Sequence, residues 1–108
     1  MRLHRVVFSP EAQQQLLDLY RYIASAASPA VAARYADAIV GYCESLTLFP
    51  ERGTCRDDVR PGLRISHYRK RTVIAFAVDG DLVTILGVFY GGRDYERLLN
   101  AERRDDEG

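Results

Sequence analysis

The chain has 108 residues, 47% of them hydrophobic and 28% charged, a balance ordinary for one soluble globular domain. Its 15 Lys and Arg offset 15 Asp and Glu, so the net charge is zero and bulk electrostatics gives no general pull towards nucleic acid. No apolar run is long enough to span a bilayer, and the opening MRLHRVVFSP lacks the apolar segment of a secretory signal, so a cytoplasmic protein is expected.

Leu3–Phe8 is short and β-branched and reads as a strand. Ser9-Pro10-Glu11 is a helix start, with Ser as N-cap, Pro at the first helical position and Glu near the positive end of the dipole. Ala12, Leu16, Leu19, Tyr20, Ile23 and Ala27 then recur at helical spacing. Ser28-Pro29 repeats the start signal, and Ala32, Tyr35, Ala36, Ile39, Tyr42, Cys43 and Leu46 line one side of a second helix. That helix must end near Phe49, because Pro50 disfavours helical geometry in the residue before it. So short a connection between two helices makes an antiparallel hairpin.

Glu51–Gly62 is expected to be a loop, punctuated by Gly53, Pro61 and Gly62. In Leu63–Arg69, Leu63, Ile65 and His67 share one face, which reads as the core side, with Arg64, Ser66 and Tyr68 opposite. His67 is then a packed histidine. Thr72–Val78 is a second apolar, β-branched strand, and Asp79-Gly80 is a two-residue hairpin signal. Leu82–Tyr90 is apolar enough for a central strand. Arg93–Asn100 is expected to form a short helix. Residues 1–100 make a single domain, and 101–108 a polar tail.

Arg60, Arg64, Arg69, Lys70 and Arg71 fall in a segment, Arg60–Arg71, without an acid. Arg69–Arg71 lies in a predicted turn and reads as a solvated tip. Cys43 and Cys55 match no zinc or thioredoxin spacing, and the two histidines sit on different elements, so neither a metal nor a cofactor is expected.

Three motifs stand out. Phe49-Pro50-Glu51-Arg52-Gly53 follows the second helix. Arg60-Pro61-Gly62-Leu63-Arg64 opens a strand. The last strand runs into Gly91-Gly92-Arg93-Asp94-Tyr95-Glu96. Together they resemble the RelE/ParE superfamily of bacterial toxins, the ParE (plasmid-stabilisation) branch more than the RelE branch, from about Val6 to Leu99. The resemblance implies an α+β fold of β-α-α-β-β-β order. An antiparallel meander sheet packs in two layers against an α-hairpin, and a short C-terminal helix follows. The periodicity above agrees with that architecture.

The ParE resemblance further implies the toxin of a type II toxin–antitoxin pair, neutralised by a ParD-like antitoxin whose disordered segment folds on the toxin. It also implies inhibition of DNA gyrase by binding, without catalytic residues. The candidate binding residues are Leu17, Tyr20, Arg60, Arg64, Tyr90, Arg93 and Tyr95. Leu17 lies off the main apolar stripe of its helix, and Arg93 follows a double glycine that fixes its direction. The RelE branch implies an mRNA interferase acting on RNA at the ribosome, which needs a base, an acid and cations for the phosphate. Arg64, Tyr68, Arg93 and Tyr95 supply the residue types for it. The ending Phe89-Tyr90-Gly91-Gly92 lacks the His-Tyr or basic-aromatic tail of active interferases. A third alternative is a non-toxic regulatory partner of an antitoxin.

Overall fold

Two start signals for helices sit at Ser9 and Ser28, and both are realised. The structure is a computed structural model, and it describes residues 5–91. The leading residues 1–4, the expected helix Arg93–Asn100 and the tail 101–108 lie outside the described residues, as do the candidates Arg93 and Tyr95.

Strand β1 spans Arg5–Phe8 and helix α1 Pro10–Ala26. Ser9 has extended backbone, and its hydroxyl accepts from the Ala12 N–H at 3.1 Å. Helix α2 spans Pro29–Ser45, and the Ser28 hydroxyl accepts from Val31 N–H at 3.2 Å. The helix stops at Ser45, before the Pro50 limit. Bonds of the tighter three-residue kind finish the turn, from Leu46, Thr47 and Leu48 N–H to Cys43, Glu44 and Ser45 C=O.

Strands β3, β4 and β5 span Leu63–Tyr68, Thr72–Asp79 and Leu82–Tyr90. The β4–β5 hairpin is present, with Gly80 and Asp81 as its central residues because Asp79 pairs with Leu82. Gly80 has φ 60°, which suits a residue without Cβ. The expected loop 51–62 contains one more element, β2 (Thr54–Cys55), which pairs antiparallel with β3. Two residues are too few to show alternation. Gly53 permits the pairing, because a Cβ there would run into the Ile65 carbonyl.

The sheet order is β1-β5-β4-β3-β2. The meander is antiparallel, and β1 joins it parallel to β5, with Phe8 opposite Ile85. The result is a mixed five-stranded sheet carrying the α-hairpin. Strand β5 is interior, as its apolar composition implied.

The main core lies between helices and sheet, from Ala12, Leu19, Ile39, Cys43 and Leu46 to Ile74, Phe76, Val83 and Ile85. A second cluster (Val59, Leu63, Ile65, Val73, Ala75, Phe89) covers the opposite face of the sheet. This inverts the expected faces of β3. Leu63 and Ile65 point away from the helices, while Ser66 and Tyr68 point towards them. Ser66 is tolerated there because its hydroxyl hydrogen-bonds the Tyr42 hydroxyl. His67 is exposed rather than packed, although its cross-strand partner Val73 belongs to the back cluster.

Candidate functional site

The first turns of α1 are fastened to β5. Beyond Phe8 the β1 side of β5 has no strand partner among the described residues. Ser9 N–H donates to Ile85 C=O at 2.9 Å, its hydroxyl to Leu86 C=O at 3.3 Å, and Gln15 Oε1 accepts from Val88 N–H at 2.8 Å. These bonds settle how α1 lies across the edge of the sheet.

That placement opens an apolar groove of about 730 Å³ between β1, α1 and α2. Val6, Phe8, Leu16, Leu17, Tyr20 and Val40 are among its walls. Leu17 and Val7 are each 42% exposed, which is unusual for adjacent large apolar side chains. Leu17 and Tyr20, candidates from the sequence, come together here. Val7 and Val40 escaped the sequence reading. Val7 belonged to an ordinary strand and Val40 lay off the apolar side of its helix.

Tyr90 belongs elsewhere. A chain of ring contacts runs from Tyr22 through Tyr90, Tyr35 and Tyr68 to Tyr42, with centroids 5.4–6.0 Å apart. The Tyr35 hydroxyl hydrogen-bonds Thr72 at 2.9 Å, and the Arg52 guanidinium lies 5.4 Å from the Tyr42 ring centre. Tyr22 and Tyr90 border a smaller cleft of about 340 Å³, shared with Gln15, Asp18 and Val88.

Arg64 is tied down. Its guanidinium donates to the carbonyls of Glu51, Arg52 and Gly53 and lies 2.7 Å from Cys55 Sγ. It clamps the 51–55 loop, and its donors are largely spent on main chain. Arg60 is half-buried, and its main chain closes the turn into β3. Tyr68 lies on the helix-covered face, not on an open sheet face. Arg64 and Tyr68 therefore do not line a shared cleft with an acid–base pair among the described residues. In the loop Arg56 pairs with Asp58 at 3.0 Å, which holds the Asp58 carboxyl below its ordinary value. Burial, with Glu44 adding to it, pushes the Cys43 thiol up to about 12. Among the described residues no group of three or more His, Cys, Asp or Glu could hold a metal ion, and no helix is long and apolar enough to cross a membrane.

The family described as the ParE toxin of type II toxin–antitoxin systems, parDE, matches this chain over residues 6–95. Comparison with curated proteins gives no match. Among solved structures, a chain of the chromosomal ParDE toxin–antitoxin system from P. aeruginosa superposes with a TM-score of 0.71 and 20% identity. The match covers 82% of this chain and 96% of that one. A chain of the RelBE2 toxin–antitoxin complex from Mycobacterium tuberculosis gives a TM-score of 0.60 and 21% identity, covering 82% and 99%. At these identities the two structures establish the fold.

Proposed function

The chain belongs to the ParE toxin family of type II toxin–antitoxin systems, and from that premise we propose that it is held inactive by a ParD-like antitoxin and acts by binding DNA gyrase. The observation that carries the antitoxin half is the groove. It is apolar and open, and its walls come from β1, α1 and α2. An amphipathic segment that folds on contact would cover Leu17, Val7 and Tyr20 with one face and leave its acids to solvent. Burying one half-exposed Leu contributes roughly 1–2 kcal/mol, so a few such contacts supply useful affinity after the ordering cost.

The gyrase half rests on family membership. The engagement of Arg64 by loop carbonyls supports a binding inhibitor, because that guanidinium is not free for phosphate. The compartment of action is then the cytoplasm, where gyrase works on DNA.

Induction of the chain without antitoxin tests the reading. Growth arrest with filamentation, a DNA damage response and intact bulk mRNA is expected, and purified gyrase should accumulate cleaved DNA in the presence of the toxin. Cuts within translated mRNA, with gyrase unaffected, would replace the binding inhibitor by an interferase. Unimpeded growth despite soluble protein would leave a regulatory partner of the antitoxin.

A further inference from the structure

The β3–β4 connection consists of Arg69, Lys70 and Arg71, because Tyr68 pairs with Thr72. Arg69 and Lys70 both have positive φ, 52° and 67°. Arg71 N–H donates to Arg69 C=O at 2.8 Å, closing a three-residue turn about Lys70. Turns of this hand are rare and strained, and side chains with a Cβ disfavour the region. Asn and Gly accept it at little cost. The protein instead places three consecutive cations there, all exposed.

Among the described residues the charge is not neutralised locally. Residues 59–78 contain no Asp or Glu. Asp79 and Asp81 belong to the hairpin at the opposite end of β4 and β5. Asp18 on α1 lines the cleft beside Tyr90 and accepts from Gln14. None of the three cations forms an ion pair among the described residues. Arg69 lies 5.5 Å from the centre of the Tyr68 ring, which is packed against Tyr35 and Tyr42, so one cation of the tip is seated on the core.

We propose that the Arg69–Lys70–Arg71 turn contacts the phosphate backbone of duplex DNA. The proposal rests on the reading that the target complex contains DNA. The sheet geometry separates this tip from the antitoxin groove. Strand β1 ends beside Ile85, while the tip adjoins Tyr90 and Gly91, about 17 Å further along β5 and across β4. A filled groove therefore leaves the tip presented. Three cations fanned around one tight turn match a repeating line of phosphates, and a protein of zero net charge gains orientation as well as attraction from such a pole.

The test uses a variant that removes charge and relieves strain together, Arg69→Asn with Lys70→Gly and Arg71→Gln. Its melting temperature should equal or exceed that of the wild type. Binding to a short fluorescein-labelled DNA duplex is followed by anisotropy over a range of salt, without gyrase or antitoxin. The wild type should bind with a salt slope that the variant lowers by about 2–3, at roughly 0.9 per phosphate contact. Affinity at low salt should fall at least about tenfold. Lys70→Arg should keep the slope. Equal slopes for wild type and triple variant would overturn the proposal. So would a variant that loses antitoxin affinity and keeps its DNA slope, since the tip would then read the antitoxin's acids. DNA binding through the tip with gyrase unaffected removes the gyrase reading and keeps the contact. Gyrase poisoned equally by both proteins, with equal slopes, does the reverse.

Discussion

Gln15 Oε1 accepts the main-chain N–H of Val88 at 2.8 Å although 73 residues separate the two. A helix side chain here takes the place of a missing strand, since β1 ends before it reaches Val88. Gln15→Leu should leave that N–H unpaired beside a residue only 4% exposed. The expected loss is about 1–3 kcal/mol by denaturant unfolding. Gln15→Glu keeps an acceptor and should lose less.

Gly87 stands next to the same contact. A Cβ there would lie 2.5 Å from two ring carbons of Phe89 and 3.2 Å from Gln15 Oε1. Phe89 is 2% exposed and packed in the back cluster, so moving its ring aside disturbs that cluster. Gly87→Ala should destabilise by about 1–3 kcal/mol. Combined with Gln15→Leu, the effects should not add, because both act on one contact. A double-mutant cycle checks this.

Arg64→Ala should free the 51–55 loop. Limited proteolysis should then cut between residues 51 and 62 faster than in the wild type, with a global cost of about 1–2 kcal/mol. Arg64→Lys should rescue only partly, because an ammonium cannot span several carbonyls as a guanidinium does. Unchanged cleavage in both variants would show that the clamp is not what holds the loop.

Leu17→Asp should leave unfolding within about 0.5 kcal/mol of the wild type, since the side chain is already half in solvent. It should weaken antitoxin binding by roughly 10-fold to 100-fold, the cost of placing a carboxylate where an apolar face docks. Calorimetry against the purified antitoxin gives both numbers.

Both thiols are free, Cys55 exposed and Cys43 buried. Iodoacetamide should label Cys55 in the native protein and Cys43 only after unfolding. The raised Cys43 pKa also predicts a pH effect. Below about 9.0 both states keep the proton and the stabilising contribution is complete. Between 9.0 and about 12 the unfolded thiol ionises while the folded one does not, so stability falls as pH rises. Cys43→Ala should remove that part of the alkaline slope.

Much of the architecture was legible from punctuation. Ser9-Pro10 and Ser28-Pro29 announce both helices, and Pro50 bounds the second. The faces of β3 were not legible, because alternation assumes that polar side chains point outwards. Ser66 and Tyr68 point inwards, where hydroxyls and rings of α2 receive them. Of the groove, Leu17 was visible as an apolar residue off its stripe. Val7 and Val40 acquire meaning only when β1 lies beside the helix hairpin, a long-range event. The Arg64 clamp acts on backbone carbonyls, which every residue has, so it leaves no sequence pattern.

The parallel pairing of β1 with β5 has a consequence for how the protein is made. The first strand and both helices are synthesised before the rest of the sheet exists for them to pack on. Ser9 and Gln15 wait for Ile85, Leu86 and Val88, so the groove cannot form on a ribosome that has not yet delivered β5. Closing so long a loop slows folding more than it weakens the folded state. A chain stalled short of Leu82 has no docking surface. On the proposed reading, harm to the cell begins only after that last pairing. The interval before it is time in which a partner made alongside can already be present.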